Sequence, residues 1–138
     1  MKNPEDLYVM DLDALHEDLY RMGNASSPAF SEKRGLIDCL VVDRAGIKVV
    51  VANGNGFSAF NRITGPMKSQ AKNIWRIAKG SSIPVGIRLV KDLTSPGHYM
   101  LAPEMDMPFN KFLCMLEEMA SNSRIAIKLS SQEIKDAD

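Results

Sequence analysis

Two polar side chains stand where a small binding or catalytic site could form. Ser58 follows the glycine-rich turn 53–56, and His98 heads a strand-like segment directly after Gly97. Glycine lets backbone amides approach a ligand closely, and a hydroxyl just after such a turn can hydrogen-bond that ligand. We therefore interpret both as candidate site residues. An ordinary hairpin turn and a strand-end histidine bonded to backbone are the alternative interpretations.

Two charged residues complete the set of candidates. Arg21 follows Leu19 and Tyr20 in a predicted strand. A guanidinium that faces a cleft suits a phosphate or carboxylate, because its fork donates two parallel hydrogen bonds. An exposed strand arginine is the alternative. Glu104 is the most site-like carboxylate in the second half of the chain, whereas Asp106 could be a helix cap.

The motifs of several common enzyme classes are missing from the sequence. It contains two histidines, and it has no nucleophile elbow, Walker loop or GxGxxG turn that opens a helix. Cys39 and Cys114 lie in apolar surroundings without a CxxC or His/Cys metal spacing. We therefore expect two buried free thiols and no metal site.

Charge is distributed very unevenly along the chain. The 138 residues include 17 basic and 17 acidic side chains, which gives a formal net charge of zero. Residues 1–20 carry six acidic side chains and one basic one, whereas residues 44–91 carry nine basic side chains and no acidic one. Such a carboxylate-free stretch favours an anionic partner.

Length and composition predict a single globular domain over residues 1–138. Hydrophobic residues make up 45% and charged residues 25% of the chain, which argues against a disordered or fibrous protein. Residues 1–6 lack the apolar stretch of a signal peptide, and no run approaches the ~18 apolar residues of a membrane span. We expect synthesis and folding in a reducing cytoplasm and no membrane partner.

Two amphipathic helices are predicted. The clearest one begins at Pro66 and ends at Gly80. Its apolar face comprises Met67, Ala71, Ile74, Trp75 and Ala78. A separate basic face comprises Lys68, Lys72, Arg76 and Lys79. The second helix begins near residues 106–108 and buries Phe109, Phe112, Leu113, Leu116 and Met119.

Apolar runs with turn residues between them predict the strands. A short helix over 11–17 precedes an extended segment 18–22 and a loop over 23–35. The predicted strands are 36–42 and 47–52, which form a hairpin, followed by 57–63, 85–90, 97–101 and 123–130. The tail 131–138 is predicted to fray. The fold class is therefore α+β, with a mixed or antiparallel sheet and the two helices.

The order of the motifs resembles the small type VI secretion toxins with an ADP-ribosyltransferase-like fold, a family of bacterial effectors. The resemblance covers about residues 54–120 with fair continuity. The motifs that carry it are Leu19-Tyr20-Arg21, Gly56-Phe57-Ser58-Ala59-Phe60-Asn61-Arg62, Ile83-Pro84, His98-Tyr99-Met100-Leu101-Ala102-Pro103 and Met107. Leu7-Tyr8 is an alternative match to the first strand of that family.

This resemblance implies a site that uses NAD as a substrate. Arg21 would bind the NAD phosphates, while Gly56, Phe57 and Ser58 would shape the nicotinamide pocket. Tyr99 would stack against the cofactor. The implied catalytic residues are Ser58, His98 and Glu104. Cleavage of the nicotinamide–ribose bond passes through an oxocarbenium-like state, which positioning and electrostatics can stabilise.

The resemblance also implies an antibacterial effector that a contact-dependent system delivers into the cytoplasm of a target cell. There it would transfer ADP-ribose to an unidentified target, and a cognate immunity protein, acidic where it meets residues 62–79, would neutralise it. The alternative function is a non-enzymatic module of a toxin–antitoxin or effector–immunity pair. Such a module would bind nucleic acid or protein through the basic segment 62–79.

Overall fold

The computed structural model describes residues 1–70 and 73–137. These residues form ten strands and four α-helices, and a 3₁₀ helix (Pro4–Asp6) precedes the first strand. The strands are β1 (Leu7–Met10), β2 (Leu19–Met22), β3 (Val41–Arg44), β4 (Ile47–Val50), β5 (Phe57–Phe60), β6 (Ile74–Ile77), β7 (Ile87–Asp92), β8 (His98–Pro103), β9 (Met107–Pro108) and β10 (Ala126–Lys128). The helices are α1 (Glu32–Asp38), α2 (Gly65–Gln70), α3 (Phe109–Ala120) and α4 (Ser131–Asp136).

Two antiparallel sheets form the framework. The larger has seven strands in the order β1-β7-β8-β5-β2-β6-β10, and the smaller has three in the order β3-β4-β9. The longest ladder joins β7 to β8, and β1 pairs with the other side of β7, so the N-terminal strand β1 forms one edge of the large sheet. The predicted α+β class with antiparallel strands is confirmed, and it is compatible with an ADP-ribosyltransferase-like fold.

Helix α3 packs against one face of the large sheet, and the side chains between them form the main core. Its buried residues are Phe109, Phe112, Leu113, Leu116 and Met119, as the spacing in the sequence predicts. They meet side chains from β2, β5 and β8, including Leu19, Phe57 and Leu101, all of which are fully buried. Since burial of one such side chain contributes about 1.5–3 kcal/mol, this layer holds β5 and β8 in place.

The predicted helix over 66–80 is confirmed as far as Gln70 and is wrong from Ile74 onward. Helix α2 ends at Gln70, and β6 begins at Ile74 between β2 and β10. Ala71 and Lys72 of the predicted helix lie outside the described residues. Ile74 is buried with Met67 on one face of the sheet, whereas Ile77 is buried in the main core on the other. A helix would place both isoleucines on one face, and the predicted basic helical face is therefore also wrong.

Three further expectations need correction. Residues 11–17 form no helix; they contain an isolated bridge from Ala14 to Ser82. Residues 32–38 are helix α1, because the Ser31 side chain caps it by accepting the Arg34 N–H. The first hairpin strand consequently begins at Val41 rather than at residue 36.

The chain end also differs from the expectation of a frayed tail. Residues 131–136 form helix α4 behind a capping box. The Ser130 hydroxyl accepts the Glu133 N–H, and the Glu133 carboxylate accepts the Ser130 N–H. This reciprocal pair satisfies two helix-end donors.

The expectation of two buried thiols is correct for one of them. Cys39 is buried, but Cys114 is exposed.

Candidate active site

The pairing of β5 with β8 brings the two polar candidates together. In the antiparallel register Ser58 lies opposite Met100 and Phe60 lies opposite His98, so Ser58 and His98 share one face of the sheet. The Nε2 atom of His98 lies 2.9 Å from the Ser58 Oγ. Two residues that are 40 positions apart thus form one hydrogen-bonded pair.

A third residue extends this pair. Asp92, the last residue of β7, places its Oδ2 atom 2.8 Å from the Nδ1 atom of His98. The Asp92 side chain is fully buried, and that of His98 is 10% exposed. The Phe60 ring stacks on the imidazole at 4.8 Å between centroids. The result is a continuous chain of contacts from Asp92 through His98 to the hydroxyl of Ser58.

Donors around Asp92 stabilise its negative charge. The N–H and hydroxyl of Thr94 donate to Oδ1 at 2.9 and 2.6 Å, and the Nζ of Lys2 lies 3.4 Å from Oδ2. Burial by itself would raise the pKa of the Asp92 carboxyl. The hydrogen bonds from Thr94, His98 and Lys2 outweigh burial and hold that pKa well below its usual range.

Arg21 bridges a gap between two strands. β2 and β5 share only the pair Tyr20–Phe60 in register. Beyond it the Arg21 guanidinium donates to the carbonyls of Ser58 at 2.6 Å, Pro28 at 2.5 Å and Ala29 at 3.1 Å. It therefore fixes the backbone of Ser58 through three bonds to protein acceptors.

The surroundings of Arg21 are largely aromatic. Its guanidinium carbon lies 4.7 Å from the Phe30 centroid and 5.3 Å from the Phe57 centroid, within the range of cation–π contacts. Burial lowers the pKa of Arg21 to about 10, and Asp38 opposes this shift. The side chain remains protonated at neutral pH as part of the core.

A cavity of about 290 Å³ opens beside these groups. Ser58, Phe60 and Arg21 contribute to its wall, and α1 contributes two cations, Lys33 and Arg34. The Nε atom of Arg34 donates to Asp38 at 3.1 Å, and the Arg34 side chain is 51% exposed. Asp38 also lines the cavity, so its wall joins a hydroxyl to three cations and one carboxylate and can take an anionic part of a ligand.

Two of the candidate cofactor-binding residues lie in the core. Phe57 is fully buried, with its ring 5.2 Å from that of Phe30 and 5.9 Å from that of Phe112. Gly56 runs against the backbone of Leu101 so closely that any Cβ would overlap the Leu101 carbonyl. Both residues set the position of β5, and neither lines the cavity at Ser58.

Tyr99 and Glu104 are placed away from Ser58. Tyr99 points to the α3 side of the sheet, where its hydroxyl donates to Glu17 at 3.2 Å and lies 3.4 Å from the Nε2 of His16. Burial, followed by the charge of Glu17, raises the pKa of Tyr99. Glu104 is exposed and lines a separate cavity of about 520 Å³.

Sequence reasoning missed Asp92, Thr94, Lys33 and Arg34. A signal for Asp92 was present: residues 93–97 contain Ser, Pro and Gly and form a short connection between two strand-like segments. A hairpin over this connection places Asp92 and His98 side by side at its closed end. The role of Lys33 and Arg34 depends on α1, which the sequence analysis interpreted as a loop.

Comparison with known proteins gives one family. A family model described as the Tse2 ADP-ribosyltransferase toxin matches residues 17–125, a range that includes Arg21, Ser58, Asp92 and His98. Comparisons with curated proteins and with solved structures give no match. The fold and this match define an ADP-ribosyltransferase-like toxin domain. The chain belongs to the Tse2 family of ADP-ribosyltransferase toxins, which are type VI effectors.

The family match confirms the resemblance found in the sequence and extends it toward the N-terminus. Within residues 1–70 and 73–137, no helix is long and apolar enough to cross a membrane. In the same part of the chain, no three His, Cys, Asp or Glu side chains converge as metal ligands would.

Proposed function

We propose that this toxin binds NAD in the cavity beside Ser58, cleaves the nicotinamide–ribose bond and transfers ADP-ribose to a target macromolecule. The observation that carries the proposal is the 2.9 Å contact between the Ser58 Oγ and the His98 Nε2 at the wall of this cavity. Membership of an ADP-ribosyltransferase family supports NAD as the substrate.

The chemistry of this bond suits such a site. Nicotinamide leaves NAD as a neutral base, and positive charge develops on the ribose as the bond breaks. An oxygen held with its lone pairs toward the ribose stabilises this charge more in the transition state than in the ground state. Ser58 supplies the oxygen, and His98 orients the hydroxyl.

The diphosphate of NAD meets Lys33 and Arg34 in this proposal. The family resemblance implies that Arg21 binds the phosphates, but three protein carbonyls occupy that guanidinium. Lys33 and Arg34 lie in the first turn of α1, and both line the cavity that contains Ser58. Arg21 then contributes indirectly, because it holds the strand backbone at Ser58.

Membership of the toxin family supports the biological setting that we propose. A contact-dependent secretion system delivers the toxin, which acts in the cytoplasm of the target cell. An immunity protein protects the producing cell from its own toxin. This protein is acidic where it meets the basic segment 62–79. We therefore expect expression of the toxin to arrest the growth of a bacterial host. Co-expression of the immunity protein is expected to relieve this arrest.

The test combines NAD binding, nicotinamide release and toxicity in the wild type, Ser58→Ala and His98→Ala. Ser123→Ala, at an exposed turn position, is the matched control. We expect both site variants to release nicotinamide at least ~100-fold more slowly, because loss of one polar group that stabilises the transition state has about this effect. A wild type that does not bind NAD, or a fully toxic Ser58→Ala variant, would contradict the proposal.

The phosphate contacts have their own test. A Lys33→Ala, Arg34→Ala double variant is expected to weaken NAD binding roughly tenfold or more, which corresponds to about 1.4 kcal/mol. Lys111→Ala, on the exposed side of α3, is the control. Unchanged affinity in the double variant would remove α1 from the binding site.

A further inference from the structure

We infer that Asp92 is a positioning residue that holds His98 in one tautomer, so that the Ser58 hydroxyl donates its hydrogen bond to the imidazole. The effect on activity rests on the proposed function. The tautomer itself does not, since it is a property of the unliganded protein. The argument starts from the 2.8 Å contact between the Asp92 Oδ2 and the His98 Nδ1.

An ionised carboxylate can only accept hydrogen bonds. The buried Asp92 already accepts two bonds from Thr94 on Oδ1, and its Oδ2 lies 3.4 Å from the Lys2 ammonium. These donors keep the carboxylate charged. The ring nitrogen that faces Oδ2 must therefore carry a proton, so Nδ1 of His98 is the N–H nitrogen.

The other ring nitrogen then has the opposite role. In a neutral imidazole with a proton on Nδ1, Nε2 bears a lone pair and accepts. The group 2.9 Å from it is the Ser58 hydroxyl, which must donate its proton along this contact. The remaining lone pairs of the Ser58 oxygen are thereby free to face the cavity, where a positively charged ribose would lie.

Neighbouring contacts hold the His98 ring and the Lys2 side chain in place. The Phe60 ring stacks on the His98 imidazole with an interplanar angle of 29°, which hinders a flip of the ring. Asn55 holds Lys2 near Asp92: it accepts the Lys2 backbone N–H at 2.8 Å and donates to the Lys2 carbonyl at 2.9 Å. Lys2 itself lies outside the range of the family match.

The test uses Asp92→Asn, which preserves the shape of the side chain. An amide can turn its NH₂ toward Nδ1 and donate to it, and this moves the imidazole proton to Nε2. Ser58 must then accept instead of donate. ¹⁵N NMR of the histidine ring distinguishes a protonated from a bare nitrogen in the protein without NAD. Wild type is expected to carry the proton on Nδ1, and Asp92→Asn on Nε2.

The activity measurement accompanies the spectra. Asp92→Asn is expected to lower nicotinamide release up to ~100-fold, because the Ser58 oxygen then accepts from Nε2 instead of donating to it, and loss of one group that stabilises the transition state has about this effect. Thr94→Val removes one bond to the same carboxylate without touching His98, and it is expected to keep the proton on Nδ1, because the residue 94 N–H and Lys2 still stabilise the charged carboxylate. Asp11→Asn, at an exposed position, is the general control.

Three results would overturn the inference. They are a bare Nδ1 in the wild-type spectrum, wild-type activity in Asp92→Asn, and an equal loss of activity in Thr94→Val with its tautomer unchanged. The wild-type spectrum remains decisive if Asp92→Asn does not fold. If wild type releases no nicotinamide but shows the proton on Nδ1, the proposed NAD chemistry is wrong and the positioning of Ser58 stands.

Discussion

At the scale of single residues, Arg21 shows how a residue suited to a ligand can instead serve the fold. Arg21→Lys is expected to lower the free energy of unfolding by about 3 kcal/mol, because a lysine replaces the three-way fork and leaves buried carbonyls without donors. Urea unfolding measures the change. Arg34→Lys, on an exposed side chain, should change stability by less than ~0.5 kcal/mol. A stable Arg21→Lys variant with weakened NAD binding would instead support direct contact of Arg21 with the phosphates.

Gly56 is required by close backbone packing. A Cβ at this position would overlap the backbone of Leu101, which cannot move without separating β5 from β8. We expect Gly56→Ala to cost about 3 kcal/mol or more and to displace Ser58 from His98. Gly65→Ala is the control for added volume: apart from its chain neighbours nothing lies near its Cβ position, so it should cost much less than Gly56→Ala. Equal thermal midpoints for the two variants would contradict this view of β5.

At the scale of elements, long-range pairing decides where local patterns are ambiguous. The spacing of apolar residues in α3 admits only one helical face, and the sequence therefore predicts its buried side chains correctly. The segment 74–77 fits a helix equally well by its spacing. Its strand form depends on β2 and β10, which are distant in sequence and pair with it on both sides. No local signal reports those partners.

The same reasoning explains how much of the site could be predicted. Ser58 and His98 each follow a turn, and the family resemblance supplied the link between them. Asp92 carries no motif of its own, and its role depends on the register of β7 against β8. The protein contacts of Arg21 depend on the carbonyls of residues 28 and 29. Loop backbone positions of this kind cannot be inferred from spacing.

Helix α4 offers a test of a short terminal element. Ser130→Ala removes the hydroxyl of the capping box and is expected to cost about 1 kcal/mol, measured by urea unfolding. The loss reaches the whole domain because Ile134 of α4 packs on the cluster that contains Met67 and Ile74. Ser123→Ala should be neutral within ~0.5 kcal/mol. A neutral Ser130→Ala would show that α4 contributes nothing to the stability of the sheet.

At the scale of the whole molecule, Asp92 links folding to pH. Burial raises the pKa of its carboxyl, but bonds from Thr94, His98 and Lys2 outweigh this effect. The pKa of Asp92 is therefore lower in the folded protein than in the unfolded chain, where it is about 3.9. The ionised group stabilises the fold above that pH, and the contribution is lost as the pH falls through the lower folded pKa. The stability difference between wild type and Asp92→Asn should narrow as the pH falls below about 4. A difference that widens in acid would contradict this sign.

The two thiols report on opening of the entire domain. Cys39 is 1% exposed, and burial, with a smaller effect of the Asp38 charge, raises its pKa to about 12. Cys114 lies on the exposed side of α3. Because the thiolate is the reactive form, a bulky disulfide reagent near neutral pH should modify Cys114 quickly and Cys39 only after the domain unfolds. Cys114→Ser should therefore abolish the fast phase, and the slow phase should accelerate with denaturant in parallel with global unfolding. A fast phase that survives in Cys114→Ser and disappears in Cys39→Ser would show that the main core around α1 opens locally.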